Sequence, residues 1–407
     1  MERPYPQLTV TPKAERAIRA GHPWVYGAEV TAVTGSYAGG DIVDVLSPKG
    51  RWLGAGFVND TSKIRVRLLS RNPNDRFDGA FWARRVAWAV DYRRTVMGAD
   101  FSACRLIFGE ADQLPGLTVD KFGDILVTEV LCLGMERVKE TVYAALCRAL
   151  AEAGEPVRAL YERSEAALRD KEGLPRVKGF WPGPGLATDL DGHVTIRENG
   201  IAYDVDYIQG QKTGFFLDQK YNRLAAASLA PGRRVLDCFT HTGAFALNCA
   251  RAGAAHVTAV DVSADALALA RENARRNGLE GSMDFVCADV FALLTDLAAL
   301  GKRDYDYIIL DPPAFTKSST TVKNAYRGYK EINLKAMHLL PRGGYLATCS
   351  CSHFMTDTLF RQMLAEAAAD AQVSLRQVEA RQQGRDHPIL WGVPETEYLD
   401  FYLFQVV

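Results

Sequence analysis

Short apolar runs and helix-like repeats alternate through the second half of the chain. Val235, Leu236 and Cys238 form an apolar run that is typical of a strand buried on both faces of a parallel sheet. Residues 240–243 supply a turn, and residues 244–251 are small and apolar, which suits a helix packed on a sheet. Residues 256–260 form a second buried strand that ends in Asp261. The pattern predicts a βαβ unit whose ligand site lies at the carboxyl ends of its strands.

The alternation of strand and helix continues after Asp261. Ser263 is placed to cap a helix that ends at Gly278. A third strand is predicted to end at Asp289 and a fourth at Asp311, followed by a helix over residues 326–340. A fifth strand over residues 343–354, another helix and two terminal strands complete the pattern. The expected fold class is α/β, with a doubly wound sheet of seven strands whose last two form a hairpin.

The first 190 residues have a different pattern. Residues 8–70 contain short alternating strands and one helix over residues 12–20, which predicts a small β-barrel. Residues 77–97 have helical periodicity, and residues 101–190 contain strands around a helix at 136–153, which predicts an α+β region. Asn199-Gly200 predicts a type I′ hairpin turn. We therefore expect domains at residues 1–75, 76–185 and 186–407.

Basic residues are concentrated in the first of these regions. Lys63, Arg65, Arg67 and Arg71 nearly alternate, so that one face of the last barrel strand is basic. These residues are candidates for contacts with phosphates, and exposed charges on an edge strand are an equally good interpretation. The arginine pairs at 84–85 and 93–94, on the predicted connecting helix, are expected to be solvated.

Composition limits the class of protein. The 407 residues are 48% hydrophobic and 24% charged with a net charge of -1, which is typical of a globular protein without a uniformly basic surface. The eight cysteines form no C-x-x-C pair, so neither a zinc site nor a dithiol redox site is expected. The first ten residues have no apolar core long enough for a signal peptide, so none is expected, and no apolar run of 18 residues occurs in the sequence. We expect a cytoplasmic protein with no metal and no membrane segment.

Acidic residues at the strand ends indicate the cofactor. Asp261 is placed to accept hydrogen bonds from both ribose hydroxyls of a nucleoside, with Asp237 on the neighbouring strand. The first turn contains only Gly243, whereas a pyrophosphate requires several glycines. Asp289 is placed to accept from an adenine amino group. These features favour S-adenosylmethionine, which has an adenosine end and no phosphate; an ordinary α/β crossover without a ligand is the alternative.

The fourth strand ends in a motif that suits a nucleobase. Two prolines after Asp311 force an extended backbone that is poor in donors. Enzymes that methylate exocyclic amines carry an aromatic residue directly after such prolines. Here Ala314 intervenes before Phe315, which favours methylation of a ring atom. Pro312, Pro313 and Phe315 are therefore candidate substrate-binding residues, and a purely structural turn is the alternative.

Two cysteines on the fifth strand are candidate nucleophiles. C5 of a pyrimidine becomes nucleophilic only after a thiolate adds to C6, so methylation at C5 requires an active-site cysteine. Cys349 and Cys351 are two positions apart and should point to the same side of a strand, with Ser350 on the other. The pattern alone leaves both open, as well as buried packing for both.

Several stretches resemble known families. Residues 12–30 and 40–59 resemble the PUA domain, an RNA-binding barrel of modification enzymes, which disfavours DNA or a small molecule as substrate. Residues 105–127, RLIFGEADQLPGLTVDKFGDILV, closely resemble the central domain of the large-subunit (23S) ribosomal RNA methyltransferase I family. Residues 207–223, YIQGQKTGFFLDQKYNR, match the segment that this family places before its first strand, where it closes over the methionine end of S-adenosylmethionine. The seven-strand pattern resembles the Rossmann-like class I methyltransferase fold.

The resemblance implies specific roles. The family's Ser-Cys-Ser stretch matches residues 350–352, which selects Cys351 as the nucleophile, with Cys349 as the second candidate because other rRNA 5-methylcytosine enzymes use Thr-Cys-Ser. Asp311 is the second catalytic residue. The resemblance implies that 23S rRNA is the substrate, that cytosine is methylated at C5 and that the protein is a homodimer. Together with the strand ends it indicates these cofactor-binding residues: Gln211, Lys212, Thr213, Phe216, Asp218, Asp237, Phe239, Thr240, Gly243, Asp261, Val262, Ser263, Asp289, Val290 and Asp311.

Two other functions remain open from the sequence. A guanine-N7 methyltransferase with a similar D-P-P-x-F motif would need no cysteine, because N7 is already nucleophilic. A non-catalytic ribosome assembly factor would bind S-adenosylmethionine without transferring its methyl group.

Overall fold

The chain passes more than once between two compact units. The computed structural model describes residues 3–301, 303–316 and 318–407. The N-terminal unit comprises the chain up to Ile196 with Val205–Leu217 and Arg385–Thr396, and the C-terminal unit comprises Arg197–Asp204, Asp218–Gly384 and Glu397–Val407. The division into domains at 1–75, 76–185 and 186–407 is finer than this and stays a prediction.

The N-terminal unit begins with a six-stranded sheet in the order β2-β6-β5-β4-β1-β3. Its helix α1 (Pro12–Arg19) was expected from the sequence and begins at Thr11, whose hydroxyl accepts from the Ala14 amide at 3.3 Å. Two strands were not expected from the sequence: the strand at residues 24–26, because it has only three residues, and the strand at residues 30–34, because it is mostly exposed. The strands are β1 (Gln7–Val10), β2 (Trp24–Tyr26), β3 (Val30–Thr34), β4 (Ile42–Leu46), β5 (Trp52–Val58) and β6 (Ile64–Ser70).

The basic face expected on β6 is only partly present. Arg67 is buried and forms ion pairs with Glu110 at 3.0 Å and Glu172 at 3.2 Å, so it is not available to a phosphate. Arg65 pairs with Asp60. Lys63 and Arg71 are exposed.

A five-stranded sheet in the order β11-β10-β9-β8-β7 follows in the N-terminal unit. Helix α2 (Gly79–Met97) precedes it, and Asp78 caps that helix by accepting from the Phe81 amide at 3.0 Å. The other elements are β7 (Ala103–Phe108), β8 (Leu117–Phe122), β9 (Ile125–Val130), α3 (Leu133–Glu152), β10 (Ala159–Ser164), α4 (Leu168–Glu172) and β11 (Val177–Phe180).

Two arginines of α2 that the sequence analysis expected to be solvated are buried. Arg85 donates to the Leu69 carbonyl at 3.0 Å. Arg93 is fully buried and pairs with Asp112. The expectation was wrong because helical periodicity cannot identify an arginine whose charge is neutralised by residues distant in sequence.

The predicted hairpin is present. Strands β12 (His193–Glu198) and β13 (Ile201–Asp206) form a two-stranded sheet. Asn199 and Gly200 both have positive φ angles, 53° and 77°, as a type I′ turn requires.

The C-terminal unit contains the seven-stranded sheet, in the order β16-β15-β14-β17-β18-β20-β19. The first five strands of this order are parallel, and β20 is antiparallel to both β18 and β19. The strands are β14 (Arg234–Cys238), β15 (His256–Asp261), β16 (Met283–Cys287), β17 (Tyr307–Leu310), β18 (Tyr345–Ser350), β19 (Leu375–Arg381) and β20 (Asp400–Val406). The expected seven strands and terminal hairpin are confirmed.

The helices of this unit connect the strands and cover the sheet. They are α5 (Lys220–Ala227), α6 (Ala244–Arg251), α7 (Ala264–Arg276), α8 (Val290–Ala299), α9 (Val322–Leu339) and α10 (Asp357–Asp370). Leu236, Ile308 and Leu346, on three central strands, have no exposed surface and form part of the core. Strands β15 and β16 are added on one side of β14, and β17 and β18 are added on the other side. The strand order therefore reverses between β14 and β17, and a crevice is expected at the carboxyl ends of these two strands.

None of the described helices is long and apolar enough to cross a membrane.

Candidate active site

The turn between β14 and α6 is braced by Asp237. Its buried Oδ2 accepts a hydrogen bond from the Thr240 hydroxyl at 2.5 Å and another from the Ala246 amide at 3.0 Å. Burial, opposed by the Thr240 hydrogen bond, raises the pKa of Asp237 to about 7. Asp237 therefore holds the turn in shape from within the unit.

The same turn has an unusual backbone. Phe239 and His241 have φ angles of 62° and 51°, which side-chain-bearing residues rarely adopt. Gly243 has a φ of 82°, and a Cβ at this position would lie 3.0 Å from the Ala270 Cβ. Strained residues of this kind cluster at binding sites. The turn is thus the region of the C-terminal unit that best fits a ligand approaching the backbone closely.

The tip of β15 suits an adenosine. Asp261 is half-buried and accepts from the His241 amide at 2.8 Å and the Ser263 amide at 2.9 Å. Each oxygen of a carboxylate has two lone pairs, so both oxygens retain capacity for ribose hydroxyls. The neighbouring Val262 is apolar and 73% exposed, which fits contact with an adenine ring. Ser263 caps α7 through the Ala266 amide at 3.2 Å.

The third strand ends earlier than expected. Strand β16 ends at Cys287, and Asp289 is instead the N-cap of α8, accepting from the Ala292 amide at 2.9 Å. Aspartate is a preferred N-cap residue, and Asp289 therefore begins α8 where the sequence pattern had extended the third strand. Asp289 is exposed, whereas the Val290 side chain is buried in the core. Their contacts with a cofactor stay predictions.

Four of the predicted cofactor residues belong to the N-terminal unit. Gln211 and Lys212 are exposed, and the Lys212 Nζ lies 4.7 Å from the centre of the half-buried Phe216 ring. Thr213 is buried and donates its hydroxyl proton to Asp120 at 2.6 Å. The cofactor-binding role of these residues stays a prediction.

Asp311 lies at the end of β17 among polar side chains of the C-terminal unit. Its Oδ1 accepts from the Gln219 amide at 3.0 Å, and the Cys349 thiol is in hydrogen-bonding contact with both residues. Burial and the negative charge of Asp218 raise the pKa of Asp311 to about 6. The Asp218 Oδ2 itself accepts from the Tyr398 hydroxyl at 2.7 Å. This carboxyl group is thus poised to change protonation near neutral pH.

Cys351 follows β18 directly, at the same edge of the sheet. Its half-buried Sγ lies 3.7 Å from the Pro312 carbonyl oxygen. Because the strand ends at Ser350, the expected strand over residues 343–354 was too long. Cys349 is fully buried, and burial raises the pKa of its thiol well above the usual value. Of the two candidate nucleophiles, Cys351 is the more accessible and lies next to the proline motif.

Tyr329 of α9 contacts the residues on both sides of Cys351. Its hydroxyl lies 3.1 Å from the Ser352 Oγ and 3.4 Å from the Ser350 Oγ, one residue on each side of Cys351. Burial raises the pKa of Tyr329 to about 12, so it stays protonated. Sequence analysis missed both Tyr329 and Gln219. The only available signal for Gln219 was its place within the polar segment 207–223.

The candidate substrate residues differ in exposure. Pro312 is buried and Pro313 is exposed. Phe315 packs against Tyr329, with ring centres 4.6 Å apart, and against Phe291 at 5.7 Å. Pro313 is therefore the residue of this motif that is most accessible to a base, and Phe315 mainly supports the loop.

Among the residues that the structure describes, no group of three or more His, Cys, Asp and Glu side chains is arranged to hold a metal ion.

Comparison with known proteins identifies the family. Residues 186–394 match the S-adenosylmethionine-dependent methyltransferase family model, and residues 8–71 match a PUA-like domain. The chain is therefore an S-adenosylmethionine-dependent methyltransferase with an N-terminal PUA-like domain.

Solved structures support the fold. A putative SAM-dependent methyltransferase from Streptococcus mutans is 22% identical, with a TM-score of 0.82 over 98% of this chain and 100% of its own. A putative methyltransferase complexed with SAH is 21% identical, with a TM-score of 0.83 and the same coverage.

Curated relatives are similar over nearly the full length. The ribosomal RNA large subunit methyltransferase I of Shewanella denitrificans is 41% identical over 97% of both chains. The protein of the same name from Escherichia coli O139:H28 is 36% identical over 98% of this chain and 99% of its own. The chain belongs to the ribosomal RNA large subunit methyltransferase I family.

Proposed function

We propose that this methyltransferase forms 5-methylcytosine in 23S rRNA through a transient covalent bond between the Cys351 Sγ and C6 of the cytosine. The observation that carries the proposal is the position of the accessible Cys351 thiol. Its Sγ lies 3.7 Å from the carbonyl oxygen of Pro312, the residue that directly follows Asp311. The relatives named as ribosomal RNA large subunit methyltransferase I support the substrate class.

The reaction begins with the base out of its stack, which costs a few kcal/mol when the base was paired. The Cys351 thiolate adds to C6, forming the S–C6 bond, and the C5=C6 π pair moves onto C5 and the adjoining ring atoms. Asp311 holds the N3 and N4 edge of the cytosine while this charge develops.

Methyl transfer and release complete the cycle. S-adenosylmethionine, when bound, would supply an electrophilic methyl group: the electron pair at C5 would form the new C–C bond as the S–CH3 bond breaks, and the pair of that bond would stay on the sulfur of the departing S-adenosylhomocysteine. A base then removes the C5 proton; water, Asp311 and the exposed His353 are the candidates. The C5–H pair re-forms the C5=C6 bond, and the S–C6 bond breaks to return Cys351 as a thiolate.

The N-terminal unit is assigned a binding role. Its PUA-like domain supports contact with RNA, with the exposed Lys63 and Arg71, which directly precede and follow β6, as the available cations. A homodimer and a cytoplasmic location follow from the family resemblance and the sequence pattern, and both stay predictions.

The proposal is tested by trapping the adduct. Fluorine at C5 blocks proton removal, so 23S rRNA transcribed with 5-fluorocytidine should form a denaturation-resistant complex with the wild-type protein in the presence of S-adenosylmethionine. Cys351→Ser should form none and lose methyl transfer by more than about 10³-fold, whereas the matched variant Cys287→Ser, at an exposed cysteine, should behave as wild type.

Other outcomes would contradict the proposal. Methyl transfer without an adduct, with 7-methylguanosine as product, would indicate the guanine-N7 reaction. Binding of S-adenosylmethionine without transfer of a labelled methyl group to any ribosomal RNA would indicate an assembly factor.

A further inference from the structure

The loop that follows β18 contains a turn that is fixed at both ends by buried residues. Ser352 is 3% exposed, and its Oγ lies 3.1 Å from the Tyr329 hydroxyl. Met355 is 1% exposed and packs in the core of the C-terminal unit. The Met355 amide donates to the Ser352 carbonyl at 2.8 Å, which closes the turn. These contacts hold the turn in place before any substrate binds.

The two central residues of this turn are aromatic and exposed. His353 is polar, but Phe354 is apolar and is still 38% exposed. Their ring centres are 5.5 Å apart and their planes meet at 73°, which is an edge-to-face arrangement. Such a pair covers at most one of its four ring faces, so it leaves faces with which a third ring could stack. The turn thus presents aromatic surface to the solvent.

This aromatic surface is close to the candidate nucleophile. Three Cα–Cα steps of about 3.8 Å lead from Cys351 to Phe354, so these two Cα atoms are at most about 11 Å apart. The chain also folds back here, because the turn brings the Cα atoms of Ser352 and Met355 within about 7 Å of each other. In an RNA strand, one phosphodiester links a nucleotide to its neighbour. A nucleotide whose base reaches the Cys351 thiol therefore brings an adjacent nucleotide close to the turn.

We propose that Phe354, supported by the edge contact of His353, stacks on the base next to the target cytosine and so holds the RNA strand while the cytosine is out of its stack. The inference rests on the proposed function, in which Cys351 attacks an extruded base. When a base leaves the stack, its neighbour loses a stacking partner, and an aromatic side chain can take that place. A phenyl ring has no hydrogen-bonding group, so this subsite should accept any of the four bases.

The fixed turn favours this kind of contact. Its backbone is already ordered, so little conformational entropy is lost when a base stacks on Phe354. Stacking of one base on an aromatic side chain strengthens binding by roughly 5- to 150-fold. A contribution of this size would offset part of the cost of extruding the cytosine.

The test removes the ring and the neighbouring base separately and together. The substrates are 23S rRNAs ligated around a synthetic segment that contains the methylated cytidine, once mapped. One RNA is intact, and two others carry an abasic nucleotide on the 5′ or the 3′ side of that cytidine. Phe354→Ala should lower kcat/KM on the intact RNA by roughly tenfold or more, and one of the abasic RNAs should lower the wild-type value by a similar factor. On that abasic RNA the wild type and Phe354→Ala should agree within about twofold, because the ring then has no partner.

Matched variants separate stacking from other causes. Phe354→Tyr keeps the ring and should keep the wild-type kcat/KM, whereas Phe354→Leu keeps only apolar bulk and should resemble Phe354→Ala. Leu300→Ala removes another exposed apolar side chain, at the C-terminal end of α8, and should change nothing. Exchanging the neighbouring base for each of the other three should lower wild-type activity by less than removing it, because every base has a face that can stack.

Failure of the inference differs from failure of the proposed function. The inference is wrong if the wild type forms 5-methylcytidine and the adduct, but Phe354→Ala and Phe354→Leu keep wild-type activity or neither abasic RNA lowers it. It is also wrong if the losses from the variant and the abasic nucleotide multiply. If the wild type forms no 5-methylcytidine, the proposed function itself is wrong. Binding of S-adenosylhomocysteine by calorimetry, unchanged in the Phe354 variants, distinguishes these results from misfolding.

Discussion

Asp237 is a buried acid near the end of β14, beside the turn that leads to α6, and it makes stability depend on pH. Its pKa is raised to about 7 in the folded protein, above the usual value near 4 of an unfolded chain. The folded state therefore holds the Asp237 proton over a pH range in which the unfolded state has lost it. This stabilisation is fully present below about pH 4 and is lost as the pH rises through about 7.

We expect the free energy of unfolding to be about 1.4 kcal/mol lower at pH 8 than at pH 6 through Asp237 alone. Denaturant unfolding of Asp237→Asn at both pH values should show a smaller difference than the wild type. Asp296→Asn, at an exposed carboxylate of α8, is the control. An equal pH difference in wild type and Asp237→Asn would show that Asp237 does not titrate in this range.

The individual residues of the site were predictable to different degrees. Asp261 is the last residue of a buried strand and Asp311 directly follows another, and the parallel sheet brings such positions to one edge, so the pattern located both. Gln219 was not predictable, because its partner Asp311 is 92 positions away and no local signal records that contact. Arg67 was misjudged for a similar reason, since Glu110 and Glu172 come from other segments.

The turn between β14 and α6 is an element whose shape depends on one glycine. Gly243 combines a φ of 82° with a close approach to Ala270. Gly253, after α6, has a φ of 95°, but a Cβ added there would meet no heavy atom within 4 Å. A comparison of alanine substitutions at the two positions therefore separates the cost of backbone strain, which both share, from the cost of steric contact, which only Gly243 has.

Gly243→Ala should destabilise the protein by more than Gly253→Ala, which should cost about 1–2 kcal/mol from backbone strain alone. Because the turn is also the predicted cofactor site, only Gly243→Ala should weaken S-adenosylhomocysteine binding. Thermal unfolding and titration calorimetry measure the two effects. Equal losses of stability with unchanged binding in both variants would place the cofactor elsewhere.

Element boundaries were less predictable than element types. Helix α6 and strand β15 have the expected bounds, because Gly253 and Asp261 mark their ends clearly. Helix α9 begins at Val322, four residues before the expected start at Tyr326, and β18 ends at Ser350. At the end of β18, Ser350 donates a hydrogen bond to the Tyr329 hydroxyl, a contact with a residue 21 positions away that the pattern does not contain.

Considered as a whole, the molecule completes its N-terminal unit with a late segment, Arg385–Thr396. Arg93 of α2 binds this segment by donating to the Asp386 carbonyl at 2.9 Å, and it also pairs with Asp112. The Asp386 Oδ2 accepts from the Arg105 amide at 2.9 Å. A buried cation therefore ties the late segment to the sheet.

Arg93→Ala should cost about 3–5 kcal/mol, because it leaves Asp112 buried without its partner. Hydrogen exchange should become faster in residues 385–396 than in the core of the C-terminal unit. The neighbouring Arg94 is exposed, so Arg94→Ala should have little effect on either measurement. Unchanged exchange in the late segment of Arg93→Ala would show that other contacts hold it.

The order of strands along the chain was predictable, whereas the exchange of segments between units was not. Alternating strands and helices specify a doubly wound sheet through general rules of connection and handedness. Residues 385–396 pack in the N-terminal unit through individual polar contacts such as that of Arg93 with the Asp386 carbonyl. The sequence pattern of a loop of this length predicts only a polar connection.

That late segment has a consequence for how the protein is made. Residues 385–396 are synthesised after residues 218–384, so the first 196 residues leave the ribosome before the piece that completes their fold exists. A fragment cut after the hairpin would lack Asp386, whose carbonyl accepts from Arg93, and completion of the N-terminal unit must wait until the methyltransferase part of the chain has been translated.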